Sequence, residues 1–287
     1  MPAFTGLAGI MSKPLSWDTS AHEYNSFEKE WHFYEKVARG LVNTLEPRPD
    51  CKILELACGT GACTALLASS CKQGEVVAID QSQNMVEIAR ENLSNSGSTN
   101  VSFVTGEVGQ LANLLREKSQ FFDLAVCNSA FWHFPDQRQV LNNLHYLLKN
   151  YGRFGFSLSD WYTSEESSEA YRKIIQEVLS KHGIDPSKFA GGAMYGRERV
   201  DFVHLLETSG FKVIKDEHYE FEMPSIARAA WMGIPVFASR VGKRSDAIPD
   251  NVREEIRSEI RKVRGDDETN RETWKSKWRI LVAEKLD

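Results

Sequence analysis

The sequence predicts an α/β protein: a doubly wound, seven-stranded sheet covered by helices and carrying a helical cap. Three observations lead there. Short apolar runs alternate with amphipathic helical patterns from Cys51 to Leu158, a stretch interrupted by a single proline, Pro135. The first apolar run ends in a glycine turn that opens a helix, and open sheets hold ligands at such strand tips. That stretch contains only Trp132, whereas Trp17, Trp31, Trp161, Trp231, Trp274 and Trp278 lie outside it. Large aromatics in those flanks suggest a cap over the carboxyl edge of the sheet. Plain packing of peripheral helices is the alternative for any one of them.

In chain order, residues 1–14 (MPAFTGLAGIMSKP) have an apolar run with no basic flank before it, and read as a loose extension rather than a signal peptide. Residues 15–50 form an N-terminal helical cap segment, helical from about Asn25 and rich in aromatics (Tyr24, Phe27, Trp31, Phe33, Tyr34), with His22 and His32 on its solvated side. Residues 51–222 are the core. Strands are expected at Lys52–Leu56, Glu75–Ile79, Val101–Val104, Phe122–Cys127, Arg153–Leu158 and Phe211–Phe221. Helices are expected at Ala62–Ser70, Asn84–Asn92, Asp136–Lys149, Tyr171–His182 and Glu198–Ser209, with Gly210 as a C-cap. Residues 223–273 are an insertion or lid. It contains the stretch AAWMGIPVFASR, which reads as an apolar lid, a hinge or a dimer contact, and an amphipathic helix at Asn251–Val263. Residues 274–287 supply the final strand, KWRILVA.

Composition narrows the function. The 287 residues carry 35 basic and 40 acidic side chains, a net charge of −5, which argues against the basic footprint of a nucleic-acid binder. No run approaches the ~20 apolar residues of a membrane span. The charge-rich stretch Arg253–Arg279 reads as a solvated face. Five cysteines, at 51, 58, 63, 71 and 127, form no CxxC pair and have no zinc spacing with histidine. They suggest reduced thiols in a cytoplasmic chain, without a metal.

The chemistry concentrates at four strand ends. In ILELACGTGACT, Gly59 and Gly61 permit a tight turn and close approach of a ligand. Asp80 ends the second strand, 19 residues past Gly61, where a carboxylate accepts hydrogen bonds from two ribose hydroxyls. The third strand runs into TGEVGQL and the fourth into VCNSAFWHFPD. A nicotinamide dinucleotide fits less well, because Thr64 stands at the third glycine position of a G-x-G-x-x-G turn.

Taken together, LELACGTG, VVAIDQSQNMVEIA, TGEVGQL, FDLAVCNSAFWHFPD and RFGFSLSD resemble the class I S-adenosylmethionine-dependent methyltransferases, over about Lys52 to Ser159. The resemblance implies a Rossmann-like sheet with its last strand antiparallel, and S-adenosylmethionine as cofactor. It places Glu55, Ala57, Cys58, Gly59 and Gly61 along the methionine moiety, and Asp80 at the ribose with Gln81 and Met85 beside it. Glu107 and Val108 fall at the adenine, and Asn128 at the methionine amino end. Two departures are mild: Ala57 stands where many members have glycine, and Glu107 where many have aspartate. Tyr24 is the N-terminal residue expected to touch cofactor. The expected activity is in-line methyl transfer to a small organic metabolite, with the acceptor atom (O, N, S or C) open. His133 is the candidate base, with a structural role as its alternative. Trp132, Trp161, Tyr162 and Trp231 are candidate walls of the acceptor pocket. Other readings are a cofactor-binding protein without transfer, or methylation of a protein or nucleic acid. Against the last, Asn128-Ser129-Ala130-Phe131 lacks the paired prolines of enzymes that methylate planar nitrogens. A monomer or homodimer is expected.

Overall fold

The computed structural model describes residues 16–94, 97–159, 165–186, 200–224, 227, 230, 231, 234, 249–263 and 273–287. Seven strands form one sheet: β1 (Lys52–Leu56), β2 (Glu75–Asp80), β3 (Val101–Thr105), β4 (Phe122–Cys127), β5 (Leu148–Ser159), β6 (Phe211–Pro224) and β7 (Thr273–Lys285). Their spatial order is β3-β2-β1-β4-β5-β7-β6. The strands from β3 across to β5 pair in parallel, and β7 runs antiparallel to both β5 and β6. β1 is buried from Ile53 to Leu56 because both its faces are covered, and Glu55 is the one acid within that run. The winding reverses between β1 and β4, and their carboxyl ends therefore open the crevice where such sheets take ligands.

The described helices are α1 (Ala21–Trp31), α2 (Phe33–Leu45), α3 (Ala62–Ser70), α4 (Gln83–Ser94), α5 (Leu111–Leu114), α6 (Gln137–Leu147), α7 (Glu165–Lys181), α8 (Phe202–Glu207) and α9 (Asp250–Val263). One face of the sheet packs under Phe131, Leu141, Leu144, Phe154, Phe156 and Phe202, and the other under Leu41, Leu45, Ile53 and Leu67. Phe131 stacks its ring 4.7 Å from Phe156 and 5.2 Å from Phe154, which pins the loop after β4 to β5. α9 lies against α7, where Lys181 and His182 both reach Glu255.

Several elements depart from the sequence expectation; β5 begins at Leu148 rather than Arg153, and α7 at Glu165 rather than Tyr171. The N-terminal segment is two helices rather than one beginning near Asn25. The break falls at His32, which takes the left-handed conformation (φ 51°). β6 and β7 extend beyond their apolar centres into a hairpin whose pairing continues to Pro224 and Thr273. The apolar period marks only the strand centres, because the outer residues, Glu220, Glu222 and Lys275, are exposed on both sides of the ladder. The helix before β6 is short, Phe202–Glu207, because Asp201 caps its start by accepting the His204 amide at 3.0 Å.

Candidate active site

The first strand delivers a buried acid to the crevice. Glu55 is 1% exposed on β1, beside Val126 of β4 and Ala78 of β2. Burial raises its pKa to about 8, and the neighbouring Thr64 and Cys63 offset this only in part. Among the described residues its Oε2 has no hydrogen-bond partner, and neither does the buried Thr64 Oγ1. An orphaned carboxyl oxygen at a strand tip is costly unless a ligand completes it.

The chain then turns sharply. Ala57, Gly59 and Gly61 all have positive φ (54°, 56° and 91°). Gly61 ends the turn and is the N-cap of α3, so the first amides of that helix face the crevice. A side chain on Gly61 would come within 3.1 Å of Leu93 and 3.3 Å of Ala89, so glycine there also lets α4 approach. The turn is braced from β2. Asp80 is 7% exposed, accepts the Gly59 amide on Oδ2 at 2.9 Å and accepts the Ser82 amide on Oδ1 at 2.9 Å. Burial holds the Asp80 pKa above the ordinary carboxylate value despite these amides, and Asp18 pushes in the same direction.

Asp18 is a residue the sequence reading missed. Its Oδ1 accepts from the Ser82 hydroxyl at 2.7 Å and the Asn84 amide at 3.1 Å, and Asn84 Nδ2 donates to its Oδ2 at 3.2 Å. It thereby latches the N-terminal segment to the start of α4, beside Asp80. The signal was local, an Asp in WDTSAHEY, but its partner is 66 residues away.

Aromatic side chains from α1 and α2 close the crevice. A small cavity of about 30 Å³ lies between Tyr24, Tyr34, Glu55, Ala57, Cys58 and Gly59, with Thr60, Ala62, Cys63 and Asn128 completing its wall. Tyr24 and Tyr34 stack at 5.1 Å. Burial, then Tyr34, Glu28 and Asp80, push the Tyr24 phenol well above its usual pKa, so it is neutral. Cys58, Cys63 and Cys127 are likewise held well above the ordinary thiol value by burial, so they sit as thiols and not as nucleophiles. Asn128 is tied on both sides: its Nδ2 donates to the Tyr34 carbonyl at 3.1 Å and its Oδ1 accepts from the Ser157 hydroxyl at 2.9 Å.

Thus Tyr24, Glu55, Ala57, Cys58, Gly59 and Asn128 come together, with Gly61 and Asp80 supporting the turn. Met85 is buried at the start of α4 with Ala21 and Ile88, beneath Tyr24, while Gln81 is exposed at the β2 tip. Glu107 and Val108 lie at the β3 tip. Glu107 is exposed, and the Val108 carbonyl accepts from Asn143 at 3.4 Å.

The acceptor-side expectations divide. His133 does not line the enclosed cavity; its ring lies 5.9 Å from Trp17 and 5.0 Å from Trp132. Trp132 is 8% exposed and packs 6.1 Å from Trp278, so most of its ring belongs to the core. Trp231 donates from Nε1 to the Tyr34 hydroxyl at 2.8 Å, which puts it behind the cavity wall. Trp161 and Tyr162 lie outside the described residues, as do Met232 and Phe237 of the expected lid. Tyr34, Ala62 and Cys63 line the cavity without having been expected there as cofactor contacts, while Thr60 lies within the expected run from Glu55 to Gly61. No cluster that could hold a metal occurs among the described residues.

A family profile described as a methyltransferase domain matches residues 47–196, just over half of the chain. A malonyl-[acyl-carrier protein] O-methyltransferase of Acetivibrio thermocellus is 27% identical over 201 residues, covering 68% of this chain and 68% of the relative. One of the same name from Halalkalibacterium halodurans is 30% identical over 177 residues, covering 58% of this chain and 62% of the relative. The solved structure of the YcgJ protein from Bacillus subtilis superposes with a TM-score of 0.55 at 17% identity, over 88% of this chain and 98% of that one, a likeness of fold.

Proposed function

The chain belongs to the methyltransferase domain family, and from that premise we propose that it moves the methyl group of S-adenosylmethionine to a small organic acceptor at the β1–β4 crevice. The observation that carries this reading is Glu55: a buried carboxyl with an unpartnered oxygen, at the inner end of a glycine turn braced by Asp80. The amino-acid end of the donor offers the ammonium that this acid lacks. Asp80 retains free lone pairs for two ribose hydroxyls, and the β3 tip at Glu107 and Val108 fits the adenine edge.

When bound, the donor supplies an electrophilic methyl carbon on a sulfonium; the acceptor's lone pair bonds to it as the carbon–sulfur bond breaks. The chain's task is placement and exclusion of water. Tyr24 and Tyr34 close the inner end, and Tyr24, as a neutral phenol, does not compete as a nucleophile. We assign no base. His133, behind Trp17, holds a structural place more readily than a catalytic one. Residues 15–50 and the insertion before β7 form the cap in this reading.

A carboxylate acceptor on a carrier thioester is the second reading, favoured by the two relatives named for that reaction. A carboxylate acceptor is already deprotonated at neutral pH and needs no general base. Both are tested with methyl-labelled S-adenosylmethionine and an acceptor panel of small amines, phenols, thiols, carboxylic acids and a malonyl thioester. Acceptor-dependent incorporation supports the proposal and picks between the readings. Tight binding of S-adenosylhomocysteine with no incorporation from any acceptor would favour a binding protein instead.

A further inference from the structure

At the break between α1 and α2, Glu28 is 6% exposed although it carries a carboxylate. Its Oε2 accepts the Tyr34 amide at 2.9 Å and its Oε1 accepts the Glu35 amide at 2.7 Å. These are orphan donors of the first turn of α2, whose N-cap residue, His32, supplies no side-chain cap. An acid seven residues earlier in the chain does this only because the left-handed turn at His32 folds α1 back against the start of α2.

The consequence falls on Tyr34. Its amide is held by Glu28, its carbonyl by Asn128, its hydroxyl accepts from Trp231, and its ring stacks on Tyr24 in the cavity wall. Four elements therefore meet at one residue: α1 through Glu28 and Tyr24, α2 itself, the β4 tip, and the segment before α9. We propose that Glu28 is a positioning residue for the methyl-transfer site, fixing Tyr34 between the donor cavity and the cap residue Trp231. This rests on the cavity taking the amino-acid end of the donor.

The carboxyl also gives the joint a pH response. Burial raises the Glu28 pKa to about 7; the amides of Tyr34 and Glu35 and a protonated His32 lower it, and the Glu35 carboxylate raises it. Those are the charged groups facing it among the described residues, together with the phenol of Tyr24. A carboxyl with a higher pKa in the packed state than in water favours the packed state when protonated. As pH rises through about 7, the ionised form bears the cost of burial and the joint opens more readily.

The test uses the full chain, with S-adenosylhomocysteine as the probe, in wild type, Glu28→Ala, Glu28→Gln, Tyr34→Ala and the double variant Glu28→Ala/Tyr34→Ala. Circular dichroism confirms folding at the working temperature. Glu28→Ala should weaken probe binding roughly tenfold, about what one or two hydrogen bonds to a charged group are worth. Glu28→Gln, which keeps the volume and one acceptor, should recover most of it. The double variant should bind about as well as Tyr34→Ala alone, since Glu28 acts through Tyr34. Folded Glu28→Ala binding as wild type, or losses that simply add, would overturn the proposal while leaving the donor reading standing. Absence of probe binding by wild type would overturn both. If Glu28→Ala does not fold, amide exchange decides. Protection of the Tyr34 and Glu35 amides should fall as pH rises through 7 in wild type and stay level in Glu28→Gln; level protection in wild type would overturn the proposal.

Discussion

Single residues at the crevice already separate ligand contacts from turn supports. Asp80 braces the turn through the Gly59 and Ser82 amides, and in the proposed reading its remaining lone pairs take a sugar as well. Asp80→Ala should therefore weaken S-adenosylhomocysteine binding by about 30-fold or more, equivalent to two hydrogen bonds to a charged acceptor. Calorimetry on the folded variant checks this, and an unchanged dissociation constant would remove Asp80 from the site. Ala57 is the opposite case. Its φ of 54° is left-handed, a conformation that costs a residue with a Cβ roughly 1 kcal/mol. Ala57→Gly should stabilise the chain by about 0.5–1 kcal/mol at the turn, less what glycine adds to the freedom of the unfolded chain. Thermal melts would show it, and a lower melting temperature would mean that the turn is not strained. The departure at Ala57 was visible in the sequence, but its energetic meaning needed the backbone angle. The placing of Glu55, Gly59 and Asp80 at one crevice was legible because it follows from local spacing along β1 and β2. Asp18, Glu28 and Tyr34 were not, because their partners are set by how α1 folds back on α2 and α4.

Between elements, the contacts of α2 decide how the cap meets the sheet. Gly40 lies in the middle of this helix, where alanine would ordinarily be favoured by about 1 kcal/mol. An added Cβ would lie 2.6 Å from Cδ1 and 2.7 Å from Cγ of Tyr219 on β6, atoms at the root of the ring that cannot simply swing away. Overpacking of that kind costs about 1–3 kcal/mol, which exceeds the helix gain. Gly40→Ala should therefore destabilise the chain by up to about 2 kcal/mol in a denaturant titration; a stabilised variant would show that β6 gives way freely. Strand positions were the most legible elements, since Lys52–Leu56 and Phe122–Cys127 are apolar runs buried on both faces. Helix–helix joints were least legible. The break at His32 carries no proline or glycine, and only the reach of Glu28 to the next turn marks it.

For the molecule as a whole, the acids raised by burial, Glu28 and Glu55 foremost with Asp80 beside them, make stability fall as pH rises. Glu28 is raised from 4.5 to about 7 and Glu55 from 4.5 to about 8, both chiefly by burial. The folded chain therefore binds more protons than the unfolded chain from about pH 4.5 to 8, and its stability falls as pH rises through that window. The Glu28 share is about 3 kcal/mol, of the order of the whole margin lost in a severe point mutation. Melting temperatures of the unliganded chain should decline from pH 6 to pH 8.5, at roughly 2–4 °C per kcal/mol for a chain of this size. Glu28→Gln should show a shallower decline, and an equal slope in both would detach Glu28 from the effect.

In the proposed reading the amino-acid end of a methyl donor completes Glu55. Titration of S-adenosylhomocysteine at pH 7, in phosphate and in Tris, tests it most directly because the two buffers differ in ionisation heat. Free Glu55, with a pKa of about 8, is mostly protonated at that pH. Pairing with the ligand's ammonium should ionise it. Binding should release about one proton, with affinity rising toward pH 8 and then levelling. Binding with identical heats in both buffers, or no binding at all, would contradict it.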